Sequence, residues 1–273
     1  MPSSSAAPEF DCLRVSVDGP IGRLELHRPE RLNALSRHHL RELTAAARWF
    51  DTRPNVKVVG VTGAGRSFCA GFDLGDFADP DPGVPMRDVA DLGRIMAEAV
   101  TGMRALTVVG IQGNCVGGGL VLAAACDQRV AAADAVFSIP EVELGIPLAW
   151  AGIPRLVREI GPALTKELVL TCRRFSPAEA AASGFLNRVV AAAELTATVD
   201  ELLGVLASRS ALTLTATKGH VNAVAEEMAS TASGRRDGDI LVSALHDPES
   251  RAVGQAYLER RRARSSPDAP SGA

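Results

Sequence analysis

The sequence predicts an α/β fold that continues into a purely helical C-terminal region. Short runs rich in β-branched residues, each closed by glycine or proline, alternate with helical patterns as far as about Val190, which is typical of an α/β domain. Beyond that point the chain shows helical patterns only. With 273 residues and 47% apolar content, it can bury a substantial core in one large domain with an appendage.

Composition narrows the classes of function. The net charge of −3 does not favour a nucleic acid or an anionic membrane as a partner. No apolar run approaches the ~20 residues of a bilayer span, and the first ten residues lack the basic and apolar parts of a signal peptide. The five cysteines lie in apolar contexts without CxxC spacing, which indicates reduced thiols and no metal site. We therefore expect a cytoplasmic protein.

The N-terminal half predicts a hairpin, two helices and three buried strands. Residues 13–29 alternate apolar and polar side chains around a turn, as an antiparallel hairpin does. Ser36 is the predicted N-cap of the next helix. The buried strands are predicted at 56–63, 107–113 and 135–140, with a helix at 89–103 before the second of them.

The C-terminal half begins with a well-marked helix. Ser176 is its predicted N-cap, Glu179 completes a capping box, and Gly184 suits the position after its end. The predicted organisation has a disordered N-terminus at 1–9, a core at 10–193, a helical region at 194–263 and a disordered tail at 264–273. Within the helical region, helices are predicted at 194–209 and 211–228, and one or two more at 237–262.

Three consecutive glycines, Gly117–Gly119, separate a predicted strand from the strongly helical LVLAAAC. Glycine costs roughly 0.5–1 kcal/mol against alanine inside a helix, so three of them require a reason. One reason is a tight turn with close packing. The other is a helix N-terminus whose free N–H groups are open to a ligand and could stabilise an oxyanion.

Two glutamates follow the strand at 135–140. Glu141 and Glu143 lie at a strand end, where α/β folds often carry catalytic groups, although a surface charge is the alternative for each. The five histidines are interpreted as surface or capping residues. The stretch Gly63–Leu74 lacks the third glycine of a dinucleotide fingerprint, and the chain has neither a P-loop nor a G-x-S-x-G nucleophile elbow.

Several segments, taken in order, resemble one family. They are LHRPERLNALS at 26–36, GRSFCAGFDL at 65–74, the long stretch at 109–146, and EAAASGFLNRVV at 179–190. Together they resemble the enoyl-CoA hydratase/isomerase (crotonase) superfamily over roughly Leu13–Arg262. The resemblance implies a ββα spiral core and a C-terminal helical region that packs homotrimers or hexamers.

The resemblance also implies an acyl-CoA thioester as substrate, with no redox cofactor or metal. The backbone N–H groups of Phe72 and Gly118 would form an oxyanion hole for the thioester enolate. Hydratases of this family carry two glutamates, where this chain has Val121 and Glu141. Valine can neither hold a water molecule nor move a proton. A single base at Glu141 instead suits the proton shuttle of a 3,2-enoyl-CoA isomerase in fatty-acid metabolism.

Two alternatives stay open. One is an atypical hydratase in which Asp76 or Asp79 replaces the missing glutamate; the other is a non-catalytic acyl-CoA binding protein.

Leu148 and Trp150 are expected to bring bulk near the acyl group. The positions that the resemblance assigns to substrate or CoA binding are Arg28, Arg31, Ala70, Asp73, Leu74, Gly117, Val121, Trp150 and Lys218.

Overall fold

The computed structural model describes residues 8–78 and 83–265. Strands and helices alternate as predicted in the first two thirds of the chain. The strands are β1 (Leu13–Asp18), β2 (Ile21–Leu26), β3 (Val58–Gly63), β4 (Leu106–Ile111), β5 (Asn114–Val116), β6 (Gln128–Ala132), β7 (Val136–Ser138) and β8 (Arg188–Val190). The helices are α1 (Arg37–Asp51), α2 (Leu74–Ala78), α3 (Met86–Gly102), α4 (Gly118–Ala125), α5 (Gly152–Thr171), α6 (Pro177–Ala182), α7 (Leu195–Ala207), α8 (Ala211–Met228), α9 (Asp237–His246) and α10 (Pro248–Ser265).

The strands form two sheets. The six-stranded sheet has the order β1-β2-β3-β4-β6-β8, and β5 and β7 form a separate parallel pair. The predicted hairpin is confirmed, because β1 and β2 pair antiparallel with Leu13 opposite Leu26. The other neighbours in the large sheet are parallel. Its central strands β3 and β4 are almost wholly buried and apolar, as expected for strands covered on both faces.

Apolar side chains cover the large sheet on both faces. The larger cluster includes Phe50 of α1 and Met96 of α3, both fully buried. The smaller cluster joins Val58 and Val108 to Leu203 of α7. The main core thus lies on the side of α1 and α3, where α4 and the β5–β7 pair are also packed.

The predicted helix caps are confirmed in part. The Oγ atoms of Ser36 and Ser176 accept the N–H groups of His39 and Glu179 at 3.1 and 3.2 Å. The Glu179 carboxylate, predicted to complete the capping box, pairs with Arg173 instead, because that guanidinium is within reach on the preceding loop. Gly184 follows α6 with φ +92°, the left-handed conformation that glycine favours.

The last two helices, α9 and α10, fold back over the chain. Gly145, which follows β7, lies so close to α10 that a Cβ on Gly145 would overlap the carbonyl of Ser250. Helix α10 continues to Ser265, past the predicted start of the tail. Residues 1–7 and 266–273 of the predicted disordered ends lie outside the described residues. No helix in the described ranges is both long and apolar enough to span a membrane.

Candidate active site

A cavity of about 320 Å³ lies between α3, α4, the segment that follows β7, and α9. Its wall is mainly apolar. The apolar side chains include Val89, Ala90, Val121, Leu148, Trp150 and Leu241, and the polar ones are Arg37, Asp76, Glu141 and His246. Phe72 and Gly118 also line it. The cavity therefore brings together the two predicted oxyanion-hole residues and the predicted base.

Backbone pairing explains how Phe72 and Gly118 reach the same wall. The loop after β3 runs as an extra parallel strand beside β5: the Cys69 N–H donates to the Asn114 carbonyl at 2.9 Å, and the Val116 N–H donates to the Cys69 carbonyl at 3.0 Å. Each segment then leads directly into the cavity wall. Gly118 is the first residue of α4, where backbone N–H groups have no acceptor within the helix.

Each of the three glycines lies against a different neighbour. Gly117 has φ +50°, and a Cβ on it would overlap the Glu141 carboxylate. A Cβ on Gly118 would overlap the Trp150 ring, and one on Gly119 would lie 2.7 Å from the Cβ of Cys69. The close-packed turn is thus present, and it places the N-terminus of α4 in the cavity wall.

Glu141 lies where β7 ends and a short 3₁₀ turn, Val142–Leu144, begins. The Glu141 carbonyl accepts the N–H groups of Leu144 and Ile146, both at 3.0 Å, which holds its backbone. Although other atoms of the residue keep some exposure, Oε2 is inaccessible and has no hydrogen-bond partner among the described residues. Burial raises the pKa of the Glu141 carboxyl to about 7. A carboxyl with this pKa can both accept and donate a proton near neutral pH.

The neighbouring positions distinguish Glu141 from the other candidates. Glu143 is exposed. Val121 is 1% exposed and contributes an apolar surface to the cavity wall. Asp76 lines the cavity, but its Oδ2 accepts the backbone N–H of Arg37 at 2.5 Å. Asp79 lies outside the described residues.

Trp150 forms one side of the cavity. Its ring lies against Gly93 of α3 and Gly118 of α4, where a Cβ on either glycine would overlap it. The ring also meets Phe72 edge-on, with centroids 5.9 Å apart. Trp150 and Ala151 have φ values of +65° and +55°, unusual for residues with side chains. The Ala151 N–H donates to Asp237 Oδ2 at 2.8 Å, which anchors this backbone from α9.

Among the positions assigned to substrate or CoA binding, Val121 and Trp150 line this cavity, whereas the others do not: Arg28, Arg31, Ala70, Asp73, Leu74, Gly117 and Lys218. Arg28 pairs with Asp73 at 3.0 Å and donates to the Ala34 carbonyl at 2.7 Å. Asp73 also accepts the Gly75 N–H at 3.1 Å, and Arg31 is exposed nearby. Ala70 lies in the loop before Phe72, and Leu74 is the first residue of α2 just after it. Their contacts with CoA stay predictions.

Lys218 lies elsewhere, on α8. Its Nζ is buried and donates to Asp127 Oδ2 at 2.8 Å and to the Ala105 carbonyl at 3.0 Å. Lys218 lines a second cavity and not the one that contains Glu141. Its ammonium is therefore already engaged within the chain, and its predicted contact with CoA is untested.

Two of the histidines interpreted as surface or capping residues have different outcomes in the structure. His39 is fully buried, so that interpretation is wrong for it, and burial lowers its pKa to about 4. His246 is exposed at the end of α9, with Nδ1 2.7 Å from the Val242 carbonyl, yet it also lines the cavity with Leu241 and Leu245. Sequence reasoning missed these α9 residues because their distance in the chain from Glu141 leaves no local signal.

Comparison with known proteins assigns the family. Residues 17–265 match the model of the enoyl-CoA hydratase/isomerase family. A probable enoyl-CoA hydratase of Rhizobium meliloti is 33% identical, over 93% of this chain and 97% of its own. A peroxisomal Δ(3,5)-Δ(2,4)-dienoyl-CoA isomerase of Arabidopsis thaliana is 34% identical, over 77% and 80%. The crystal structure of an enoyl-CoA hydratase/isomerase from Pseudoalteromonas atlantica matches with a TM-score of 0.83 and 26% identity, over 92% and 98%.

The chain belongs to the enoyl-CoA hydratase/isomerase family and has its crotonase fold. Within that family it is an acyl-CoA enzyme of the hydratase/isomerase type.

Proposed function

We propose that the protein moves the double bond of a 3-enoyl-CoA to the 2-position, with Glu141 as the single acid/base. The observation that carries this proposal is the Glu141 carboxylate: it lines an apolar cavity, one of its oxygens lacks a hydrogen-bond partner among the described residues, and its pKa is about 7. Val121 on the same wall offers no second proton carrier. The similarity to a dienoyl-CoA isomerase supports this assignment.

The proposed reaction has two proton transfers. The Glu141 carboxylate takes a proton from C2, and the electron pair of the broken C–H bond forms a dienolate with negative charge on the thioester oxygen. The N–H groups of Phe72 and Gly118 stabilise that oxygen. Protonated Glu141 then returns the proton to C4, which leaves the double bond between C2 and C3. No water is consumed, and neither a redox cofactor nor a metal takes part.

The surroundings of Glu141 suit both steps. An ordinary carboxylate with a pKa near 4.5 is a weak base toward a thioester α-proton, whereas burial brings this carboxyl near 7. At neutral pH both protonation states are populated. The same group can therefore accept the proton from C2 and give it back at C4.

Replacing Glu141 tests the proposal directly. Glu141→Gln keeps the shape but cannot carry the proton, so turnover of a 3-enoyl-CoA should fall about 10²–10⁴-fold while binding of the CoA ester changes little. Glu143→Gln, two residues away on an exposed side chain, is the matched control and should keep full activity. Unchanged turnover in Glu141→Gln would exclude this residue as the base.

Hydration of a 2-enoyl-CoA is the second candidate, because Asp76 lines the cavity and could hold a water molecule. The engagement of Asp76 with Arg37 makes it less suited than Glu141. Assays of crotonyl-CoA hydration and of 3-enoyl-CoA isomerisation on the same preparation separate these activities. A protein that binds CoA esters and turns over neither substrate would be a non-catalytic binder.

The assembly and location belong to the same proposal. Leu212, Val221 and Met228 of α8 are 79%, 60% and 73% exposed, which suits a helix that packs against other copies in a homotrimer or hexamer. The cysteines among the described residues are free, which supports a reducing cytoplasm. Arg28, Arg31 and Lys218 are proposed as cations for the CoA phosphates, and the Ala70 carbonyl as an acceptor for the adenine.

A further inference from the structure

A second cavity, of about 500 Å³, lies on another side of the molecule. It is enclosed by the C-terminal ends of α3 and α4, the first half of α5, and α8. Its polar lining includes Thr101, Asp127, Arg155, Arg158, Lys218 and Asn222. Within the described ranges, the two cavities share no lining residue. The proposed isomerase reaction leaves this second cavity without a role.

Arg155 is unusual among the residues that line the second cavity, because its charged side chain is buried. It lies in the first turn of α5 and is only 3% exposed. Its Nη1 donates to Thr101 Oγ1 at 2.7 Å, and that hydroxyl lies 3.1 Å from the Ala125 carbonyl. The Nε atom is buried and has no hydrogen-bond partner in the described part of the chain. Burial, and after it the nearby Arg158, lower the pKa of Arg155 to about 10.

The other buried or half-buried charged groups around this cavity are already paired, and Arg209 in its lining is exposed. Lys218 Nζ lies 2.8 Å from Asp127, and Arg158 lies 2.6 Å from Glu226. Glu159, also in the wall, lies 2.6 Å from Arg129. No carboxylate of the described residues lies within ion-pair distance of Arg155. The cavity therefore contains one buried positive charge in excess.

An unpaired buried charge is costly, and arginine cannot relieve that cost by losing its proton at physiological pH. A planar guanidinium binds carboxylate and phosphate oxygens through two parallel N–H donors. We propose that the second cavity is an oxyanion site in which Arg155 binds a carboxylate or phosphate group. That group belongs to a free small anion.

Binding of inorganic phosphate tests the free-anion source. By calorimetry in a chloride buffer of constant ionic strength, Arg155→Met should bind phosphate at least 10-fold more weakly than the wild type. At ten times Kd, phosphate should raise the wild-type Tm by about 3–6 °C and leave that of Arg155→Met unchanged. Arg104→Met is the matched control: Arg104 is partly buried, lies outside this cavity and donates to the Arg53 and Val56 carbonyls. It should keep the phosphate response.

Sedimentation in the same chloride buffer tests whether another copy of the chain fills the site instead, which would overturn the free-anion proposal. If a carboxylate of another copy fills the site, the wild type should self-associate at least 10-fold more tightly than Arg155→Met, without a phosphate response. Identical phosphate affinity in wild type and Arg155→Met would overturn the proposal, as would the same loss in Arg104→Met. If Arg155→Met does not fold, Arg155→Lys replaces it. This variant keeps the charge but loses the two-pronged donor, so a smaller weakening is expected.

Discussion

Glu141 and Arg155 face different cavities, and each has a buried polar atom without a hydrogen-bond partner among the described residues. The two groups respond to burial differently. The Glu141 carboxyl can take up a proton and become neutral, and burial accordingly raises its pKa to about 7. Arg155 remains charged at neutral pH even with its pKa lowered to about 10, so it requires a counter-ion.

The comparison shows that desolvation has opposite consequences for a carboxyl group and a guanidinium. Desolvation makes a carboxyl into a proton carrier at neutral pH, because its two protonation states become nearly equal in free energy. Desolvation of a guanidinium creates instead a site that is incomplete without an anion. The apolar wall around Glu141 and the paired charges around Arg155 fit these two roles.

The largest expected effect comes from opening the first cavity. Trp150→Ala removes a ring packed between α3 and α4 and should lower the free energy of unfolding by about 3–5 kcal/mol. The space gained should raise kcat/KM for bulky acyl groups relative to short ones. Trp49→Ala, a half-buried indole outside the cavity, serves as control and should leave this ratio unchanged. An unaltered ratio in Trp150→Ala would show that the indole does not limit the acyl group.

The pH dependence of stability gives the next largest effect. The folded pKa of Glu141 is raised from 4.5 to about 7, so the folded state binds more protons than the unfolded state between these values. Wild-type stability should therefore fall relative to Glu141→Gln by about 3 kcal/mol as pH rises from 4.5 to 7. Urea unfolding of both proteins across this range measures the difference. Parallel curves would mean that Glu141 titrates normally, and Glu143→Gln should track the wild type.

The smallest expected effect comes from displacing the Glu141 carboxylate, the proposed base. Gly117→Ala places a methyl group against the Glu141 carboxylate at a residue with φ +50°. A displacement of about 1 Å at the reacting group should reduce kcat about 100-fold. Gly204→Ala is the matched control, because a Cβ there meets nothing within 4 Å. Full activity in Gly117→Ala would contradict the close placement of Glu141 beside this turn.

Features that depend on residues close together in the sequence could be predicted from the sequence alone. The hairpin, the Ser36 and Ser176 caps and the C-terminal helices follow from local periodicity and capping chemistry, and the structure confirms them. The predicted capping box was wrong in its Glu179 side chain, because the Glu179 carboxylate pairs with Arg173 instead. His39 was misjudged because its burial depends on how α1 packs in the core.

The sequence by itself determined the family, the order of the elements and the candidate residues Gly118, Val121 and Glu141, since motif order and spacing are properties of the chain alone. Only the tertiary structure decided that Glu141 rather than Glu143 faces the cavity, that Lys218 is engaged by Asp127, and that Arg155 is left without a carboxylate. The physical reason is that desolvation and ion pairing depend on distances between segments remote in the sequence, and these distances exist only once the chain has folded.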